Sequence, residues 1–137
     1  MSEVLIGSHG ESLTLTRDDS DRIVDTVIAE LRAGTLSASR QVVHSYSTGF
    51  ADLVDFFESL SRNWRGWDGE RRWDSLEGGL AISATYEYGH VHLQVTLRTA
   101  GPGWGNHGWV ASAWVTLDPG EQLTQIAAEL GGLFDSN

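Results

Sequence analysis

The chain contains no cysteine, only two prolines, and nine basic side chains against nineteen carboxylates. Each shortage excludes something. Without thiols there is no disulfide framework and no thiolate zinc site, which fits a reducing compartment, so the expected localisation is cytoplasmic. No apolar run approaches the roughly 18 residues of a membrane span. Met1 to Gly7 has no basic region ahead of its short apolar run, so neither secretion nor membrane insertion is expected. A formal net charge of −10 leaves no cluster of cations to displace counterions from a phosphate backbone, and nucleic acid is not an expected ligand. No phosphate loop, nucleophile elbow, HExxH or DNA-reading motif occurs; Gly101-Pro102-Gly103-Trp104-Gly105 lacks the following helix that a phosphate cradle requires. No cofactor is expected.

What remains is 137 residues, the size of one domain spanning 1–137, with six tryptophans. The first 45 residues alternate apolar and polar positions between turn formers, predicting strands near 3–7, 11–17, 23–32 and 36–45. Leu13 and Leu15 are expected to face inward, and Ser8-His9-Gly10 to form a hairpin turn. Residues 23–32 also suit a helix, but Gly34 and the alternation Leu36-Ala38-Arg40-Val42 favour a hairpin.

From Phe50 the period changes. Phe50, Leu53, Val54, Phe57, Leu60 and Trp64 recur at helical spacing, with Asp52, Asp55, Glu58 and Arg62 opposite; Ser47 or Thr48 is the expected cap and Gly66 the stop. A polar loop over 65–79 follows. Leu80-Ile82-Ala84-Tyr86 and Val91-Leu93-Val95-Leu97 then predict a hairpin turning at Tyr88-Gly89, and Trp109-Ala111-Ala113-Val115-Leu117 a third strand. Asp118-Pro119-Gly120-Glu121 predicts an N-capped final helix with Leu123, Ile126, Ala127, Leu130, Leu133 and Phe134 on its apolar stripe. The expected fold is α+β, a mainly antiparallel sheet of about seven strands with two helices in the order ββββ-α-βββ-α.

The segment Trp64-Arg65-Gly66-Trp67-Asp68-Gly69 continuing through Trp73 and Ser75-Leu76-Glu77, with Gly89-His90-Val91 and Asp118-Pro119-Gly120-Glu121-Gln122-Leu123, resembles a family of small actinobacterial proteins of unknown function. The resemblance runs from about residue 50 to 135. It implies fold and compartment and transfers no catalytic residue.

Candidate functional residues therefore come from residue chemistry. Trp67, Trp73 and Glu77 in the 65–79 loop could form a recognition surface, Trp and Arg being the types that most often carry binding energy, or could pin the loop to the core. Trp64 and Trp67 are expected to be structural, with Trp64 on the helix stripe. His90 and His92, two apart on a strand, share a face; a metal there would need a third ligand such as Glu87 or His107, and none is expected. Trp114 falls opposite the inward series, on the face of His92, Gln94 and Thr96, as a partner contact or under a second layer. Trp104 is either a lid or an exposed anchor.

Small size, acidity, abundant tryptophan and missing catalytic motifs point to a non-enzymatic protein-interaction domain, such as an immunity or inhibitor protein against a basic, toxin-like partner. The alternative is a small-molecule-binding domain or enzyme with a Trp-lined pocket near Trp67, Trp73, Trp104 and Glu77. Monomer and homodimer are both compatible with the sequence.

Overall fold

A computed structural model describes residues 3–17, 26–44, 49–99 and 108–134. The strands are β1 (Glu3–Gly7), β2 (Glu11–Arg17), β3 (Thr26–Ala33), β4 (Leu36–Val43), β5 (Arg71–Asp74), β6 (Leu80–Glu87), β7 (His90–Arg98) and β8 (Val110–Leu117). Helix α1 (Ala51–Arg62) separates β4 from β5, a single 3-10 turn (Leu76–Gly78) precedes β6, and α2 (Glu121–Leu133) closes the chain. The fold is α+β, as expected, with eight strands rather than about seven in the order ββββ-α-ββββ-α. The eighth is β5, inside the segment expected to be loop; Arg71 to Asp74 pair with Ala84 to Ala81.

The strands form two antiparallel four-stranded meanders, β1-β2-β3-β4 and β5-β6-β7-β8, instead of a single sheet. Alternation explains how each is sided. Val4, Ile6, Leu13, Leu15, Val27, Ala29, Leu31 and Val42 line the inner face of the first sheet. Leu80, Ile82, Ala84, Val91, Leu93, Val95, Leu97, Val115 and Leu117 line that of the second, and all belong to one cluster. Strand β8 crosses β1, β2 and β3, while β7 meets β4. The segment 23–32 is a strand from Thr26 onward; its first residues, like Ser45 at the end of the fourth expected strand, lie outside the described residues.

Glycine supplies a left-handed residue in both two-residue turns, and the second adds a non-glycine, Tyr88, at positive φ. Ala33 pairs with Leu36 around Gly34-Thr35, and Glu87 with His90 around Tyr88-Gly89, where both central residues take positive φ (53° and 76°).

Helix α1 buries Leu53, Phe57 and Leu60 and turns Asp52, Asp55 and Glu58 to solvent. Each fully buried Leu or Phe contributes about 1.5–3 kcal/mol, and this stripe anchors the helix. Its N-cap position is Phe50, with no side-chain cap bond; Ser47 and Thr48 lie outside the described residues. The two helices pack together, Phe50 stacking on Phe134 at 4.8 Å between ring centroids, and α2 leans on β1.

Asp118 does not cap α2 with its side chain. Its backbone N–H donates instead to Gln122 Oε1 at 2.7 Å, and the N-cap residue is Gly120. Arg17 serves the other end, donating to the Leu133 carbonyl at 3.0 Å.

Trp64 departs from its expected place. The helix stops at Arg62 because Asn63 closes back on it, its N–H donating to Ser59 and Leu60 carbonyls and its Nδ2 to Ser59 O at 2.7 Å. Trp64 thereby leaves the apolar stripe, is 50% exposed, and carries the Arg65 guanidinium over its ring. Trp67 folds back, half-buried, with its ring 5.5 Å from Tyr86 and the Arg71 guanidinium carbon 4.9 Å from its centroid. Trp64→Ala is expected to shift stability by no more than about 0.5 kcal/mol, and Trp67→Ala to cost several times as much. Chemical denaturation of the two variants checks the ordering.

At Gly7 the first sheet comes close to β8 of the second. Its φ is 125°, and a Cβ there would press on the Glu11 carbonyl and lie 2.8 Å from Val115 Cγ1. Gly7→Ala is expected to destabilise the fold by at least about 1–3 kcal/mol, measured as a fall in the urea midpoint with unchanged slope.

Candidate functional site

The outer face of the second sheet gathers His90, His92, Gln94, Thr96 and Trp114, residues singled out by chemistry or by their place in the alternation. Register places Arg72, Ser83, Gln94 and Trp114 in one row across the four strands, with Asp74, Ala81, Thr96 and Ser112 on one side and Thr85, His92 and Thr116 on the other. Ala81 and Ser83 are small and sheltered among the longer side chains around them, while Trp114 stands 54% exposed at the margin. Arg72 is held by Asp74, with Nε 3.1 Å from Oδ2, and that hydrogen bond and charge raise the guanidinium above its usual pKa.

His90 and His92 share this face, their rings 6.5 Å apart. His92 Nδ1 lies 3.4 Å from Thr116 Oγ1, and His90 Nε2 lies 3.6 Å from Asp118 Oδ1. Among the described residues no group of three or more His, Asp or Glu is placed to hold a metal. At this end Glu87 is the register partner of His90 across the turn, and Asp118 lies beside the imidazole.

The other candidates are dispersed. Trp73 is 6% exposed and sits in the core, its ring 5.3 Å from His44 and 6.3 Å from Phe50, which leaves it no surface for a partner. Trp67 lies on the opposite side of the second sheet's plane from Trp114. Glu77 falls in the 3-10 turn, its side chain outside what is described, and Trp104 and His107 lie outside the described residues. Trp109, expected inward, precedes β8 and is exposed, though Ala111, Ala113, Val115 and Leu117 keep the inward parity.

A histidine outside the candidate set is bonded through both of its ring nitrogens. His44 follows β4 and is buried. Its Nδ1 accepts the Leu76 N–H at 2.8 Å, so the proton must sit on Nε2, which donates to the Asp52 carboxylate with both oxygens at 2.9 Å. Asp52 is in the first turn of α1, where a carboxylate also favours the helix dipole. A signal was present: the inward series Ala38, Arg40, Val42 continues, by twos, to His44.

A histidine between an aspartate and Ser75 has the composition of a hydrolytic triad without its connections. A general base needs a free lone pair, and the one on His44 is taken by Leu76 N–H. Ser75 Oγ accepts the Leu80 N–H at 3.0 Å and lies 3.4 Å from the Leu76 carbonyl, so it secures the turn and faces no base. A hollow of about 320 Å³ between β1 and α2 is lined by Leu5, Gly7, Gln122, Gln125, Ile126 and Glu129. Its amides are already engaged, Gln122 with Asp118 N–H and Gly7 O, Gln125 with Glu129.

A family model described as a family of unknown function, DUF6228, matches residues 4–137. The chain belongs to this family. No curated protein and no solved structure matches. Membership in DUF6228 covers both sheets and both helices, including the N-terminal half outside the Trp-rich motif.

His44→Ala in this DUF6228 chain is expected to destabilise the fold by about 1–3 kcal/mol or more, because Leu76 N–H loses its acceptor in a buried site and Asp52 loses its donor. His44→Gln, which can supply one acceptor, is expected to recover part of the loss in thermal unfolding.

Proposed function

We propose that this protein is a non-enzymatic interaction domain, an inhibitor or immunity type of protein that engages a basic protein partner through the outer face of its second sheet. The observation that carries the reading is Trp114, a large aromatic 54% exposed on a regular strand, beside His92, Gln94 and Thr116 and covered by no described element. Exposed indoles anchored on rigid backbone are the residues that dominate binding energy in protein interfaces. The carboxylates of Glu87 and Asp118 border the same face, and the chain's net charge of −10 steers a cationic surface toward it. A small-molecule site near Trp67, Trp73, Trp104 and Glu77 draws less support, since Trp73 is a core residue and the hollow beside β1 presents no converging free polar groups.

The family offers no partner, so the partner is sought by capture from the source cells and among proteins encoded beside this gene. With a purified partner, Trp114→Ala is expected to weaken binding by more than about 2 kcal/mol while leaving the melting temperature nearly unchanged. Added salt is expected to slow association, as screening removes the steering. A large loss of stability with unchanged affinity would refute the assignment of Trp114 to the interface.

A further inference from the structure

We propose that β8 is the strand through which two copies of this chain pair, edge to edge and antiparallel, joining their second sheets into one. The proposal stands apart from the partner reading above and does not rest on it.

A four-stranded meander leaves two edges, and two meanders leave four. Three of these carry a device that discourages pairing. Strand β1 is five residues long and flanked by α2, whose Gln122 reaches the Gly7 carbonyl. Strand β4 turns a charge inward: Arg40 falls on its core-facing side and donates to the Arg98 carbonyl across the two sheets. Strand β5 has four residues, three of them charged. Strand β8 has none of these devices. It runs for eight residues in unbroken register with β7, without proline, inside Thr99–Leu117, the longest stretch of the chain lacking Asp, Glu, Arg or Lys.

The direction of its backbone groups follows from one bond. Thr99 N–H donates to the Trp109 carbonyl at 3.1 Å, so Trp109 faces β7. In an antiparallel ladder successive residues face opposite neighbours, which turns the N–H and C=O of Val110, Ser112, Trp114 and Thr116 toward the open edge. Among the described residues no strand pairs along that edge. The side chains of the same four residues are exposed, Val110 at 68%.

Charge selects the occupant. This edge offers no carboxylate to a basic segment, and two chains each carrying −10 can approach only where neither presents its acidic groups. The strand of matching length and neutrality is β8 itself. A two-fold axis makes such an interface self-complementary, each copy supplying the donors its partner's acceptors need. Residues opposite each other in the pair share a face, so both Trp114 rings stand on the same side of the joined sheet.

Sedimentation equilibrium of the full chain over a dilution series, at low and high sodium chloride, tests this. Wild type is expected to reach twice the chain mass, with association tightening at high salt as repulsion between acidic copies is screened. Ser112→Pro removes an N–H that faces the open edge and so breaks no backbone bond to β7, giving up only the exposed contact of Ser112 Oγ with Thr96 Oγ1 at 3.2 Å. Ser112→Glu, which gives up the same contact, sets like charges against each other across the seam. Both are expected to weaken association by at least about tenfold, with unchanged far-ultraviolet circular dichroism. Should the proline variant lose its fold, the glutamate variant decides. A wild type of single-chain mass at both salts, a dimer that the folded variants leave intact, or one that salt weakens would overturn the proposal.

Discussion

The described parts of the two sheets share no strand pairing, so the chain must join them by other means where it crosses from β4 to β5, and His44 is the polar centre of that junction. One imidazole ties the end of the first sheet to the first turn of α1 through Asp52 and to the turn before β6 through Leu76 N–H. Its ring also lies 5.3 Å from both Phe50 and Trp73. A buried polar group is tolerated when its hydrogen-bonding capacity is used, and both ring nitrogens of His44 are used. The same wiring that makes it a good clamp deprives it of the free lone pair that catalysis would need.

Around that junction the apolar interior is closed from three sides. The second sheet lies across the first through β8 and β7, and the paired helices cover what the sheets leave open. Gly7 sets the closeness of the crossing at one corner, since no side chain fits between it and Val115. Arg40 sets it at another, its guanidinium lying within 2.9 Å of where a Cβ on Gly79 would be. Arginine suits that place because its planar head stays charged and donates in several directions at once. An antiparallel sheet commonly packs one face on the core and solvates the other, and Trp114, Thr116 and Gln41 are exposed on the outer faces here.

Much of this was legible in the residues. Period-two runs located seven strands and identified Leu13 and Leu15 as inward, and the stripe from Phe50 to Leu60 located α1 to within a residue or two. The outward parity of Trp114 and of His90 with His92 followed from the same alternation. What escaped notice has two causes, non-local pairing for β5 and His44 and local side-chain bonds at the helix ends for Trp64 and Asp118. Arg71-Arg72-Trp73-Asp74 shows no alternation of its own; it becomes a strand because β6 offers it a ladder and the core accepts Trp73. His44 could be placed on the inward side, but the bond to Leu76 lies 32 residues away and no local pattern announces it. Trp64 obeyed the helical period, yet Asn63 ended the helix first. Asp118 carried the signature of a cap, yet it joins α2 through its backbone N–H, which donates to Gln122 Oε1, and the N-cap residue is Gly120.

The surface that remains divides chemically. Asp52, Asp55 and Glu58 project from α1 and Glu121 from the start of α2, whereas β8 and the middle of its sheet's outer face are neutral. In an acidic protein this division separates two tasks. Long-range attraction depends on net charge and acts over a Debye length of about 10 Å, so it can be supplied by helices that never touch a partner. Short-range affinity depends on desolvated aromatic and backbone groups, and charges at such a contact would have to be stripped of water at a cost that often exceeds their attraction. For the partner proposed above, Trp114 on a strand free of carboxylates supplies the contact, while Asp52, Asp55, Glu58 and Glu121 on the helices supply attraction from a distance without that penalty.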